Sequence, residues 1–176
     1  MVGAELTFTL EVAPGASVVR LSLGPEALAA IAEDSPSSPG GSPWTLEGEV
    51  DWETVEALRL LAAVFDDGRE LAVVAVRPRG GAGHDSESVA ARLIEEGEPI
   101  PVEETLLSTE YDPEGLPRRL GLELWIDLET PPLRVAGDRE RPPELEAATP
   151  RRQSTPMSLR VDGVEGRGVY EVVQPA

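Results

Sequence analysis

The chemistry open to this chain is bounded by what it lacks. It has one histidine and no cysteine, and all 15 of its basic residues are arginine. Lysine Schiff bases, a Walker-type phosphate lysine, cysteine nucleophiles and thiolate zinc sites are therefore excluded. The one histidine, His84, lies beside Asp85 in RGGAGHDSE (79–87). A histidine next to a carboxylate on a glycine-flanked loop suits a general base at a cavity mouth. An exposed loop histidine of no special role has the same surroundings. Zinc would need further ligands that only carboxylates are left to supply. The acid groups Glu47/Glu49/Asp51, Asp66/Asp67, Glu95/Glu96/Glu98 and Glu103/Glu104 do not follow the spacing of a calcium loop, and solvated turns and strand edges explain them. RGGAG (79–83) lacks the dinucleotide-binding glycine pattern, and Ser108 in LLSTEYD has no base near it in sequence. The chain reads as leaning away from enzymes, with no catalytic residue, metal or cofactor assigned.

The large aromatics are the other candidates. Trp44 and Trp52 share a face if 44–52 is one strand, and would then lie about 26 Å apart at ~3.3 Å per residue. Trp52 and Trp125 are the better pair for the walls of an apolar cavity, with His84 and Asp85 near its mouth. The alternative for both tryptophans is ordinary packing.

Alternating strands must position these residues. In ELTFTLEV (5–12), Leu6, Phe8, Leu10 and Val12 face one way and the polar residues the other. APGA (13–16) turns the chain into SVVRLSL (17–23). PEALAAIAED (25–34) places proline before good helix formers and reads as one short helix. SPSSPGGSP (35–43) is a flexible loop. WTLEGEVDW (44–52) alternates again. ETVEALRLLAAVF (53–65) and RELAVVAVRP (69–78) flank Asp66-Asp67-Gly68, a hairpin signal that favours strand over helix. Residues 88–95 and 101–111 read as strands joined around Gly97, with helices over 53–65 and 86–96 as the alternative. DPEG (112–115) fits a type I turn. LPRRLGLELWIDL (116–128) and PPLRVAG (131–137) supply two more strands, and the proline-interrupted stretch 138–156 reads as a long loop. In SLRVDGVEGRGVYEVV (158–173), Asp162-Gly163 and Glu165-Gly166 suit positive φ in a closing hairpin. Gly168 suits a close approach by another backbone or a bulky side chain.

With 176 residues and 40% apolar composition, the chain is long enough for a real core. Its 33 acids against 15 bases give a net charge of −18, which disfavours nucleic acid and anionic membrane surfaces as partners. MVGAELTFTL has neither a basic n-region nor a long apolar run, so no signal peptide or membrane span is expected and a cytoplasmic location is the default.

Several motifs occur in a suggestive order: Trp52, VFDDGRELAVVAVR (64–77), GEPIPVEETLLSTEYDPEGLP (97–117), LELWIDL (122–128), LRVAGD (133–138) and RVDGVEGRGVYE (160–171). Together they resemble the C-terminal lipocalin-like half of the carotenoid 1,2-hydratase and AttH-like proteins. The resemblance covers about two thirds of the chain. It implies a β-barrel-like half that ordinarily pairs with a second one, and in some members the handling of apolar polyenes. Where relatives carry a polar segment rich in histidine and tryptophan, this chain reads WTLEGEVDWE (44–53), so no catalytic residue is carried over.

The expected fold is all-β: an antiparallel lipocalin-like barrel or half-barrel of about nine strands with one short helix, the alternative being α+β. Strands and helix at 1–34 and the loop at 35–43 precede a β domain at 44–176. Two functions fit. One is the binding of an apolar small molecule such as an isoprenoid or lipid, in a cavity lined by 44–52, 57–65 and 120–127. The other is a structural module that docks, without catalysis, onto a second β-domain or a second copy of itself.

Overall fold

Two kinds of apolar pattern become two kinds of strand. Alternating segments form strands with one face covered, and the continuous apolar runs form strands buried on both. The computed structural model describes residues 5–12, 18–32, 43–80, 87–146 and 150–175. In chain order the elements are β1 (Leu6–Glu11), β2 (Val18–Leu23), α1 (Pro25–Ala32), β3 (Trp44–Glu47), β4 (Val55–Phe65), β5 (Glu70–Pro78) and β6 (Ser88–Glu95). There follow β7 (Glu98–Ile100), β8 (Glu104–Tyr111), β9 (Pro117–Trp125), β10 (Leu133–Arg139), β11 (Glu144–Glu146), β12 (Arg151–Val161) and β13 (Val164–Gln174).

A ten-stranded antiparallel sheet runs in the order β7-β6-β5-β4-β13-β12-β10-β9-β8, with β11 attached to β12. It curls into a half-barrel. A smaller sheet, β1-β2-β3, packs with α1 on the outer face of the large one. The inner face gathers Leu61, Phe65, Leu71, Val73, Leu122, Leu124, Met157 and Tyr170 into one cluster. The outer face of β4 and β5 presents Leu58, Leu60, Ala62, Val74 and Val76 to Phe8, Leu21, Leu28 and Trp44 of the smaller layer. Arg92 stacks over the Phe8 ring at 5.0 Å, and Arg152 Nη1 donates to the Trp44 carbonyl and to buried Glu171.

This double burial settles the hardest sequence ambiguity. Strand β4 is apolar on both faces because both are covered, which gives it helix-like composition in a strand conformation. The expected hairpin β4–β5 turns at Asp66-Asp67-Gly68, where the Gly68 N–H donates to the Phe65 carbonyl. The turns Glu96-Gly97 and Asp162-Gly163 have positive φ at both residues, as a two-residue hairpin requires. Gly166 and Gly168 differ in kind. A Cβ on Gly168 would lie 2.6 Å from the Ala62 carbonyl oxygen, and one on Gly166 would lie 2.5 Å from Phe65 Cδ1. Gly168 thus meets the expectation of close approach, whereas Gly166 has no positive φ and serves packing instead.

Three segments depart from expectation. Strand 44–52 stops at Glu47, before positive-φ Gly48, and pairs with β2 rather than with the large sheet. The expected loop 138–156 is largely strand: β10 reaches Arg139, and β12 starts at Arg151 and passes through Pro156. Pro156 is tolerated because it lies just past the last β10 partner, the pair Arg139↔Met157, where no ladder N–H is required. The expected strand 101–111 starts only at Glu104, and it is not the strand joined to 88–95 around Gly97. Residues 98–100 pair with β6, residues 101–103 cross over, and β8 pairs with β9 at the opposite end of the sheet. The expected turn at 13–16, residues 35–42 of the Pro/Gly/Ser stretch and the His84 loop lie outside the described residues.

One segment therefore supplies both ends of the large sheet. Strands β6 and β8 approach each other there without a ladder between them, which leaves a seam.

Candidate functional site

Hairpin register stacks the inward side chains into rows. One row runs Ala91, Val73, Leu61, Tyr170, Thr155 across β6, β5, β4, β13 and β12. The next runs Val89, Ala75, Arg59, Val172, Gln153. Arg59 thus takes an inward position in a strand that is otherwise apolar on that face up to Phe65, and only 3% of the residue is exposed.

Its guanidinium crosses the interior to the seam. Nη2 donates to Glu87 Oε2 at 2.6 Å and to the Leu107 carbonyl at 3.3 Å, and Nη1 donates to Thr109 Oγ1 at 3.0 Å. Glu87, just before β6, has a side chain 2% exposed; its other oxygen accepts from Arg77 Nη2 at 2.8 Å and Nε at 3.2 Å. The Tyr170 hydroxyl, fully buried, shares a 2.8 Å hydrogen bond with Thr109 Oγ1. Arg59 and Tyr170 therefore tie β4 and β13 to β8, across an edge that no backbone ladder closes.

The electrostatics follow from burial and pairing. Burial pushes the Glu87 carboxyl up, but the hydrogen bonds from Arg59 and Arg77 outweigh it and hold the group below the usual carboxylate range. Burial also works against the Arg59 charge, yet the pKa rises, with the hydrogen bond to Glu87 and the Glu87 charge among the causes. Burial drives the Tyr170 hydroxyl up to about 12, only partly countered by Arg59. The cluster is therefore ionised at its arginines and carboxylate, and neutral at its phenol.

Two grooves flank it. One, of about 880 Å³, passes over the edge of β8 and is lined by Arg59, Glu87, Val89, Leu106, Leu107 and Leu122 among others. Another, of about 860 Å³, is lined by residues that include Arg77, Tyr111, Leu145, Arg151, Gln153 and Val172. Elsewhere in the interior, the gap between Phe65, Leu71, Leu93, Leu124 and Val161 has no room for a water molecule.

The expected site residues are placed differently. Trp52 is half-buried against the outer cluster, and Trp125 ends β9 opposite Glu104, on the side away from inward Leu124. Neither belongs to the cluster that fills the interior. His84 and Asp85 lie outside the described residues. Of the three segments expected to line one cavity, 57–65 and 120–127 do meet in the inner cluster, while Trp44 and Leu46 pack outside. Ser108 donates to the Gly121 carbonyl at 3.4 Å. Among the described residues, no group of three or more histidine, cysteine or acidic side chains is arranged to hold a metal. Among them, too, no helix is long and apolar enough to cross a membrane. Sequence reasoning missed Arg59 and Glu87. The available signal was a lone arginine inside ALRLLAAVF, where a buried strand tolerates charge only if something pairs with it.

The architecture defines the class, an antiparallel β half-barrel with one short helix and a polar cluster at its seam. No protein-family model and no curated protein matches the chain.

Proposed function

We propose that the half-barrel carries an apolar small molecule, such as an isoprenoid, sterol or acyl chain. The observation that supports this most directly is the groove of about 880 Å³ over the β8 edge, where Val89, Leu106, Leu107 and Leu122 share the lining with the buried Arg59–Glu87 pair and with Glu103, Glu104 and Glu123. Clefts of this size that combine apolar wall with fixed polar groups suit small ligands. The resemblance read from the sequence, to the carotenoid 1,2-hydratase and AttH-like proteins, points the same way. His84 and Asp85 precede Glu87 by a few residues in the chain and stay candidates for the mouth of the site; Trp52 and Trp125 report on binding through their fluorescence. The test is titration of the full chain with retinol and a fluorescent fatty alcohol, joined to mass spectrometry of lipids that copurify. Saturable quenching with one site per chain is the expected result. No saturable binding and no copurifying lipid would overturn the reading.

A second reading, a module that docks onto another β-domain or a second copy, draws on the edge strand. On its side away from β9, strand β8 has no ladder partner among the described strands, and it exposes Leu106 and Tyr111. Light scattering separates the two readings: a monomer that binds retinol supports carriage, and a ligand-free dimer supports docking.

A further inference from the structure

We propose that the groove shared by the β8–β9 turn and the paired ends of β12 and β13 binds a small organic monoanion with an apolar body. It is a different space from the groove over the β8 edge, so the proposal goes beyond the carrier reading and does not depend on it.

The lining is brought together by register. Leu145, Gln153 and Val172 are cross-strand neighbours on β11, β12 and β13, and Arg151 and Gln174 form the next pair of the same facing along β12 and β13. The rest of the lining includes Arg77 from β5 and Tyr111, Glu114 and Leu116 around the β8–β9 turn, and the groove they share has a volume of about 860 Å³.

The charge of this groove has the opposite sign to that of the chain. Acids outnumber arginines 33 to 15 in the sequence, and the groove over β8 is lined by four glutamates and two arginines. Among the described residues, the lining here has three arginines and one glutamate. Arg152 is already engaged, since it donates to the buried Glu171. Arg77 and Arg151 are open to a ligand. Arg77 shares Glu87 with Arg59, keeps a side chain 36% exposed, and its partner Glu87 does not line the groove. Arg151 is exposed and enters none of the ion pairs among the described residues. The guanidiniums of Arg59, Arg77 and Arg151 thus face two carboxylates, Glu87 and Glu114, which leaves one positive charge for a monoanion to balance. The amides of Gln153 and Gln174 offer further donors.

The apolar lining sets the rest of the ligand. Tyr111 and Leu145 are 45% and 65% exposed, two of the five large apolar side chains that the described residues leave in water. Both line this groove, with Leu116 and Val172. An organic body laid over them removes apolar surface from water, which an inorganic anion would leave wet.

The test titrates the full chain with anilinonaphthalene sulfonate, a monoanion, and with phenylnaphthylamine, the same aromatic body without the charge. The sulfonate should bind saturably at one site per chain and more tightly than the neutral probe, and added salt should weaken the sulfonate alone. Arg151→Gln should weaken the sulfonate about threefold to fivefold, as expected of an exposed ion pair, and leave the neutral probe unchanged. Tyr111→Ala should weaken both. Both side chains are exposed, and an unchanged melting temperature checks that each variant folds. Equal affinity for the two probes, or a sulfonate affinity that Arg151→Gln leaves as it was, overturns the proposal. Retinol titrated in parallel reports on the other groove. Failure of retinol alone overturns the carrier reading, and failure of the sulfonate alone overturns this one.

Discussion

Replacing Glu87 with glutamine should be among the most damaging isosteric changes in this chain. The substitution keeps the shape and one acceptor but removes the charge that two guanidiniums share, at 2.6 Å from Arg59 and 2.8 Å from Arg77. Arg77 is 36% exposed at its side chain and can turn to water; Arg59, at 4%, cannot. Breaking a buried pair by removing one partner costs about 3–5 kcal/mol, against a total stability of roughly 5–15 kcal/mol. For a chain of this size each kcal/mol moves the melting temperature by ~2–4 °C, so Glu87→Gln should lower it by about 6–20 °C. Urea unfolding at neutral pH, followed by tryptophan fluorescence, measures the same loss directly. The pH dependence has a definite sign. The folded-state pKa of Glu87 is depressed below its ordinary 4.5, so its contribution is complete above that value and fades as pH falls through the folded pKa. The gap between wild type and variant should therefore shrink in acid. The double variant Arg59→Met/Glu87→Leu should recover at least half of the loss, because apolar packing can replace a buried ion pair. A deficit under about 1 kcal/mol at neutral pH would refute the view that this pair holds the seam. So would a deficit that does not change in acid.

Gly168→Ala should lower stability by about 1–3 kcal/mol or more, since its Cβ would meet the Ala62 carbonyl at 2.6 Å and backbone must move. A melting temperature within a degree of wild type would show that β13 and β4 can separate freely. Asp112 closes the β8–β9 turn. The hydrogen bond from Arg139 and the N–H groups of Leu116 and Glu114 hold its carboxyl below the usual range. Its stabilising effect should be present above the ordinary aspartate value of 3.8 and fade as pH falls through the folded pKa. Asp112→Ala should therefore melt lower than wild type at neutral pH, with the difference narrowing in acid; a constant difference on a thermal-melt series would count against the carboxylate as the cause.

Much of the architecture is set locally and can be read from the sequence. Alternation in LTFTLE and LGLELW, glycine at Asp66-Asp67-Gly68 and Asp162-Gly163, and the helix formers after Pro25 all act within a few residues. The all-β class, the short helix and the closing hairpin follow from them. Long-range pairing is not local. The same hydrophobic run suits a helix or a doubly buried strand, and only the layer of β1, β2, β3 and α1 on the outer face of β4 decides which. Whether 44–52 joins the large sheet depends on β2 offering it an edge, and Pro156 becomes acceptable only because β10 has ended beside it. The seam cluster lies furthest from what a sequence pattern carries. Arg59, Glu87, Thr109 and Tyr170 come from four distant segments, and no spacing links them. Burial gives their hydrogen bonds strength and leaves Arg59 Nε and Thr155 Oγ1 without partners, and burial is a property of the assembled sheet.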